Sequence, residues 1–283
     1  MARAPDRLIG RTSVRDALDS AVIALTAAGC DTPRLDAELL LAATMGVDRA
    51  AIVADPGRAL EPEAARRFQE LAARRRGREP VAYILGTKGF RSIELEVDPR
   101  VLVPRPETEL LVEALLDLPR GARVCDVGTG SGAIALALAS ERPDLELVAT
   151  DASADALAVA RANAERLGLP IELHHGDLLA DVSGPLDAVV SNPPYVEDGA
   201  ELAPDIVLHE PALALRAGPS GLDVIRRLVP AAGATAAHVL ALEIGAGQAA
   251  AVGELIREAG FPELEALRDL AGIERVLVGR RPR

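Results

Sequence analysis

Asn192-Pro193-Pro194-Tyr195 combines an amide, two rigid imino acids and a phenol, and the chain has only two asparagines and two tyrosines to place. The preceding residues, Leu186 to Ser191, read as a buried strand that runs straight into it. Ligand sites of open α/β sheets lie at the carboxyl ends of strands. At such a place these four residues make a clamp for a planar NH2 group. A proline-rich exit turn with asparagine as a cap is the plain alternative, and the strand before it and the glycine loop upstream weigh against that reading.

A second constellation lies upstream. Asp126-Val127-Gly128-Thr129-Gly130-Ser131-Gly132 follows an apolar strand and opens a helix. The glycines let the backbone turn tightly and approach a ligand closely. Enzymes that bind dinucleotides use similar loops, so this pattern alone leaves the cofactor open. Asp151 ends the next strand, where a carboxylate can accept both hydroxyls of a ribose, in NAD or any other adenosine cofactor; capping the following helix is its structural alternative. Asp177 follows the third strand, in reach of an adenine amino group, and is equally readable as a turn aspartate. Candidate cofactor contacts are therefore Asp126, Gly128, Thr129, Gly130, Ser131, Gly132, Asp151, Asp177 and Asn192.

The elements that must position these residues alternate from residue 122 onward. Strands are expected at 122–127, 145–150, 171–175, 186–191, 237–244, 264–269 and 273–279, with helices at 131–141, 153–167, 222–233 and 246–259. Alternation argues a doubly wound, mostly parallel seven-stranded sheet with right-handed crossovers. The last two strands are separated by about three residues, too few for a parallel crossover, so they should form a C-terminal antiparallel hairpin. Residues 1–85 read as a small helical domain: a helix from the Ser13 cap to about Ala28, one around Leu35 to Ala43, and one from Glu61 to Arg76 before Gly77. Residues 86–105, with alternation over Phe90 to Val97, read as a β-hairpin linker, and a helix starts near Pro106. The expected division is 1–85, a helical docking domain; 86–105, the linker; and 106–283, the catalytic domain.

Composition narrows the function classes. The chain has 283 residues and a net charge of −12, with 2% aromatic residues and no tryptophan, so its core must be aliphatic. Residues 1–85 carry +1 and the remainder −13, a poor balance for gripping phosphates. Arg74, Arg75, Arg76 and Arg78 are the exception, and a solvated helix end is their plain reading. Cys30 and Cys125 are too far apart to suggest a metal site or a disulfide framework. Met1 to Asp16 holds no apolar run of signal-peptide type, and no stretch has the length of a membrane span, which leaves the cytoplasm as the expected location.

With these residues in place, the chain resembles the class I S-adenosylmethionine methyltransferases, and more closely the protein-(glutamine-N5) methyltransferases of peptide-chain release factors. The shared blocks are Pro33 to Leu40, Arg78 to Gly86, Val101 to Glu109, Asp126 to Gly132, Ser191 to Tyr195, and His209 to Leu213 with Gly221-Leu222-Asp223. Two positions depart from the pattern. Leu178 stands where an aromatic residue is common, offering adenine an aliphatic face, and Ser220 stands where an acidic residue is expected.

The resemblance implies that S-adenosylmethionine is the cofactor, S-adenosylhomocysteine the product, and the glutamine of a release factor's Gly-Gly-Gln loop the methyl acceptor in translation termination. A carboxamide nitrogen is a poor nucleophile because its lone pair is delocalised. The Asn192 side-chain oxygen and the Pro193 carbonyl would accept its two N–H bonds and aim that lone pair. Tyr195 would lie against the planar amide, Pro194 would stiffen the loop, and Leu102 would face the substrate pocket. No catalytic His, Cys or metal is needed, because the methylated amide cation sheds its proton readily. Neither direct nucleic-acid binding nor membrane association is expected. An adenine-N6 methyltransferase would present the same NH2 to such a clamp but would need a basic groove. A dehydrogenase would leave Asn192–Tyr195 unexplained, and a non-catalytic scaffold would leave the clamp idle.

Overall fold

The computed structural model describes residues 12–282, so the first eleven residues of the segment read above for a signal peptide lie outside the described residues. The chain divides into two compact units. One comprises residues up to Gly86 together with Ala203–His209, and the other comprises Thr87–Leu202 and Glu210–Arg283.

The first unit is helical: α1 (Val14–Ala27), α2 (Pro33–Met45), α3 (Arg49–Ala54), α4 (Pro62–Arg76) and α5 (Val81–Leu85). Its boundaries follow local chemistry. Ser13 and Asp16 form a reciprocal capping box at the start of α1. Proline stands in the first turn of α2 and α4, where its missing N–H costs nothing. Leu18, Leu25, Leu40, Leu41, Ile52 and Phe68 form the buried core between these helices.

The arginine cluster is only in part a solvated helix end: Arg74 and Arg76 are exposed, whereas Arg75 and Arg78 turn into the unit. Arg75 is buried; its Nε donates to Asp36 Oδ2 at 2.7 Å and its Nη1 to Asp205 Oδ2 at 2.5 Å. Arg78 pairs with Asp205 as well, and Arg74 with Glu79. Periodicity could not reveal this, because Asp205 comes from a segment some 130 residues downstream whose short helix belongs to this unit.

In the second unit β1 (Thr87–Phe90) and β2 (Ile93–Glu96) form an antiparallel hairpin. The Arg91 backbone N–H at its tip donates to Glu109, and the Arg91 guanidinium pairs with Glu141. A 3-10 turn (Pro106–Thr108) leads into α6 (Glu109–Glu113). Then follow β3 (Arg123–Val127), α7 (Ala133–Glu141), β4 (Glu146–Asp151), α8 (Ala154–Leu167), β5 (Glu172–His175) and β6 (Ala188–Ser191). After α9 (Pro204–His209), the short helix placed in the first unit, come α10 (Asp223–Gly233), β7 (Val239–Glu243), α11 (Ala249–Glu258), β8 (Glu263–Arg268) and β9 (Glu274–Arg280).

The seven strands of the main sheet run in the order β5-β4-β3-β6-β7-β9-β8. β3 to β7 are parallel, and β9 inserts antiparallel between β7 and β8, as the short β8–β9 connection requires. The sheet is doubly wound and ends in the expected hairpin. Burial on both faces explains why β6 and β7 read as continuous apolar runs: every residue of each is buried. α7 is apolar all round for the same reason, with Ala133 to Ala139 entirely buried. The strand order reverses between β3 and β6, and that switch point opens a crevice at the strands' carboxyl ends.

Candidate active site

A cavity of about 290 Å³ occupies the crevice. The turn after β3 forms one wall. Gly128 and Gly130 have φ of 72° and 57°, a region that favours glycine, and a Cβ built on either would project into open space. The positions therefore demand glycine for backbone conformation, not for crowding. Gly132 differs: its φ is 85°, and a Cβ there would come within 2.8 Å of Leu136 Cδ1. The loop is held from below. The backbone N–H groups of Gly128 and Thr129 donate to the Thr150 carbonyl at the end of β4.

Asp151 fixes the same loop from the side. Its Oδ2 accepts the Gly130 N–H at 2.9 Å and its Oδ1 the Ser153 N–H at 2.8 Å. The cap of α8 is Ser153, whose side chain accepts from Ala156, so Asp151 is not spent on capping. Each carboxylate oxygen keeps a lone pair for a ligand. Asp177 and Leu178 line the cavity after β5; the Asp177 carboxylate pairs with Arg227, another lining residue, and Leu178 has φ of 56°.

Asp126 does not line the cavity. It lies fully buried beneath the loop, where its Oδ2 accepts from Thr129 Oγ1 at 2.6 Å and from the Ala135 N–H at 3.2 Å. Its Oδ1 has no partner among the described residues, and burial pushes its carboxyl up to about 7. Gly132 is likewise absent from the lining. Gly128, Thr129, Gly130 and Ser131 are present.

The tip of β6, the strand beside β3, also lines the cavity. Asn192, Pro193 and Pro194 line the cavity together with Leu102 and Pro104 of the hairpin's exit segment. Tyr195 is turned away from the lining. Its hydroxyl donates to Glu243 Oε1 at 3.2 Å, and burial raises its pKa. The main chain of this tetrapeptide is held closely: the Tyr195 carbonyl accepts from Gln248, and a Cβ on Gly221 would come within 2.4 Å of that carbonyl oxygen.

Thr108 also lines the cavity, and buried carboxylates lie behind the wall. Glu243 ends β7 with 1% of its surface exposed, and its Oε2 accepts from Thr108 Oγ1 at 2.6 Å. Burial drives its carboxyl above the usual glutamate range. Asn192 Nδ2 donates in turn to Thr108 Oγ1 at 3.1 Å. Glu210, also buried, accepts from Arg105 at 2.5 Å and from the Val103 N–H at 3.2 Å, joining the Val101–Glu109 and His209–Leu213 blocks. The sequence offered one overlooked signal, a lone acidic residue closing the apolar run of β7. Ser220, the departure noted above, accepts from Arg226.

The residues fit an adenosyl cofactor. The glycine cradle leaves room for a ligand, Asp151 presents acceptors beside it, and Leu178 provides an apolar face. Among the described residues no cluster of His, Cys, Asp or Glu could hold a metal ion, and no helix is long and apolar enough to cross a membrane.

Comparison with known proteins agrees. Residues 16–86 match the PrmC N-terminal domain and residues 106–233 the methyltransferase small domain. Among solved structures, the hMettl16 catalytic domain in complex with an RNA hairpin superposes with a TM-score of 0.54 at 19% identity, over 79% of this chain and 83% of that one. The T. thermophilus 16S rRNA N2 G1207 methyltransferase in complex with AdoMet and guanosine superposes with a TM-score of 0.51 at 21% identity, over 69% of this chain and 50% of that one. At such identities the likeness concerns the fold, and fold and matched domain together define the protein as an S-adenosylmethionine-dependent methyltransferase. Sequence relatives are much nearer. A release factor glutamine methyltransferase of Cereibacter sphaeroides is 44% identical over 276 residues, covering 94% of this chain and 98% of its own. One of Caulobacter vibrioides is 43% identical over 262 residues, covering 89% and 91%. The chain belongs to the release factor glutamine methyltransferase family.

Proposed function

We propose that the protein transfers a methyl group to the side-chain amide nitrogen of the glutamine in a release factor's Gly-Gly-Gln loop. The observation that carries this reading is the convergence of two residue sets on one cavity: the glycine turn with Asp151, and Asn192-Pro193-Pro194 with Leu102. S-adenosylmethionine bound there would supply an electrophilic methyl carbon on its sulfonium. Asp151 would hold the ribose hydroxyls, Asp177 and Leu178 the adenine, and Gly128 to Ser131 the remainder. Asp126 would act from beneath, holding the turn through Thr129 and Ala135.

Asn192 Oδ1 and the Pro193 carbonyl would accept the two N–H bonds of the substrate amide. Fixed acceptors orient the lone pair and stabilise the positive charge that develops on nitrogen, so they act on the transition state more than on binding. The two prolines hold their own φ near −65° and keep the acceptors from swinging away. Tyr195 would contribute through its hydrogen bond to Glu243 rather than by stacking on the amide, because its ring is not part of the cavity wall. The product amide loses its proton to water, and no side-chain base is assigned.

The helices of residues 1–86 would hold the body of the release factor while a thin glycine-flanked loop enters the crevice. The protein would act in the cytoplasm, where release factors work. Incubation with labelled cofactor and either a release factor or a nucleic acid tests the assignment. Label in the release factor supports it, and label in adenine of the nucleic acid alone refutes it.

A further inference from the structure

Asn192 can act as an acceptor only if its oxygen, and not its NH2, faces the cavity. The two ends of a carboxamide have nearly the same shape, so packing alone cannot choose between them. We propose that Thr108 and Glu243 are positioning residues that set this orientation: the Thr108 hydroxyl, its proton committed to Glu243, offers Asn192 only a lone pair. This inference rests on the reading that Asn192 Oδ1 receives the substrate amide.

The argument follows the protons. A threonine hydroxyl has a single hydrogen. Thr108 Oγ1 lies 2.6 Å from Glu243 Oε2, and a hydrogen bond to a carboxylate is stronger than one to a neutral amide. The proton therefore goes to Glu243. What remains towards Asn192 is an acceptor, so Asn192 must present its NH2, and Nδ2 is 3.1 Å away. The Asn192 oxygen is thereby left to the cavity. Tyr195 donates to the other carboxylate oxygen, Oε1, and helps hold the buried glutamate in place.

The relay has a protonation limit. A protonated Glu243 could donate to Thr108, free the threonine proton for Asn192 and turn the amide over. Burial moves that protonation to milder acidity; Glu107 acts in the same direction, while Arg275 on β9 and the hydrogen bonds from Thr108 and Tyr195 oppose it.

Nuclear magnetic resonance of protein labelled with 15N at asparagine tests the relay without turnover. Only Asn163 and Asn192 give side-chain NH2 signals. Asn163 is an internal control, since its Nδ2 donates to the carbonyls of Glu96 and Ser131. In Thr108→Val and Glu243→Gln the Asn192 signal should move and exchange faster while that of Asn163 stays. Thr108→Ser, which keeps the hydroxyl, should restore it. In the natural protein the Asn192 signal should shift in one acid step that Glu243→Gln removes.

In kinetics, Thr108→Val should lower kcat by about 10²-fold, the scale of a misaligned reacting pair, with little change in affinity for the cofactor product. Thr108→Ser should stay near the natural rate. An unmoved Asn192 signal in both Thr108→Val and Glu243→Gln overturns the relay. So does natural kcat in both variants when Asn192→Ala is inactive, and in that case the clamp reading stands. Natural turnover in Asn192→Ala overturns the clamp reading instead, whatever the NMR signals show.

Discussion

Removing the Asp151 carboxylate tests the cofactor side of the site. It accepts two backbone N–H bonds, from Gly130 at 2.9 Å and Ser153 at 2.8 Å, and would accept two ribose hydroxyls besides. A hydrogen bond to a charged group contributes about 1.5–3 kcal/mol. Losing both ribose bonds in Asp151→Ala amounts to roughly 3–6 kcal/mol, or about 10²–10⁴-fold in affinity. Asp151→Asn keeps one acceptor oxygen but sets an NH2 against a backbone N–H or a hydroxyl, and should fall between the two. Calorimetric titration with S-adenosylhomocysteine measures the effect, with a thermal melt of the free protein to separate it from global unfolding. A dissociation constant unchanged in a folded Asp151→Ala protein would remove Asp151 from the site and with it the ribose assignment.

Other perturbations probe separate parts. Asn192→Ala should lower kcat by about 10²–10³-fold, as for loss of one oriented transition-state group, while S-adenosylhomocysteine affinity stays within tenfold; rapid-quench assays check it. Gly132→Ala meets both an unfavourable φ and the Leu136 side chain, and should cost about 2–4 kcal/mol in urea unfolding. Arg75→Ala leaves the buried Asp36 carboxylate without its cationic partner and Asp205 with Arg78 alone, and should destabilise the first unit by about 3–5 kcal/mol, read by denaturant titration. Asp126 supplies a pH dependence. Its folded-state pKa of about 7 exceeds the unfolded value of 3.8, so between these the folded state binds the extra proton. This group's contribution to stability is fully present below about 4 and declines as pH rises to about 7. Urea unfolding from pH 4 to 8 should show that decline, and Asp126→Asn should flatten it.

The sheet was legible because its central strands are buried on both faces, giving apolar runs punctuated by glycine and proline. The antiparallel hairpin at the end followed from the short connection between the last two strands. The cavity-lining residues were legible for a related reason: glycines with positive φ, the carboxylate at the end of β4, and the Asn-Pro-Pro motif at the end of β6 each mark a strand's exit. What stayed hidden depends on pairs distant in sequence. Thr108 meets Glu243 across 135 positions and Arg75 meets Asp205 across 130, and no local pattern encodes either meeting. The helices α3 and α9, six residues each, are too short for periodicity to register. Tyr195 was expected on the substrate amide because of its neighbours in sequence; the buried acceptor that draws its hydroxyl away lies on another strand.

The central claim is that the tip of β6 aims a substrate carboxamide at the cofactor's methyl group. Tandem mass spectrometry of a release factor, incubated with the protein and S-adenosylmethionine, tests it most directly. One added methyl, localised to the side chain of the Gly-Gly-Gln glutamine and missing when Asn192→Ala replaces the natural protein, is the predicted result. An unmodified glutamine, or methylation of it that persists undiminished in Asn192→Ala, would contradict the claim.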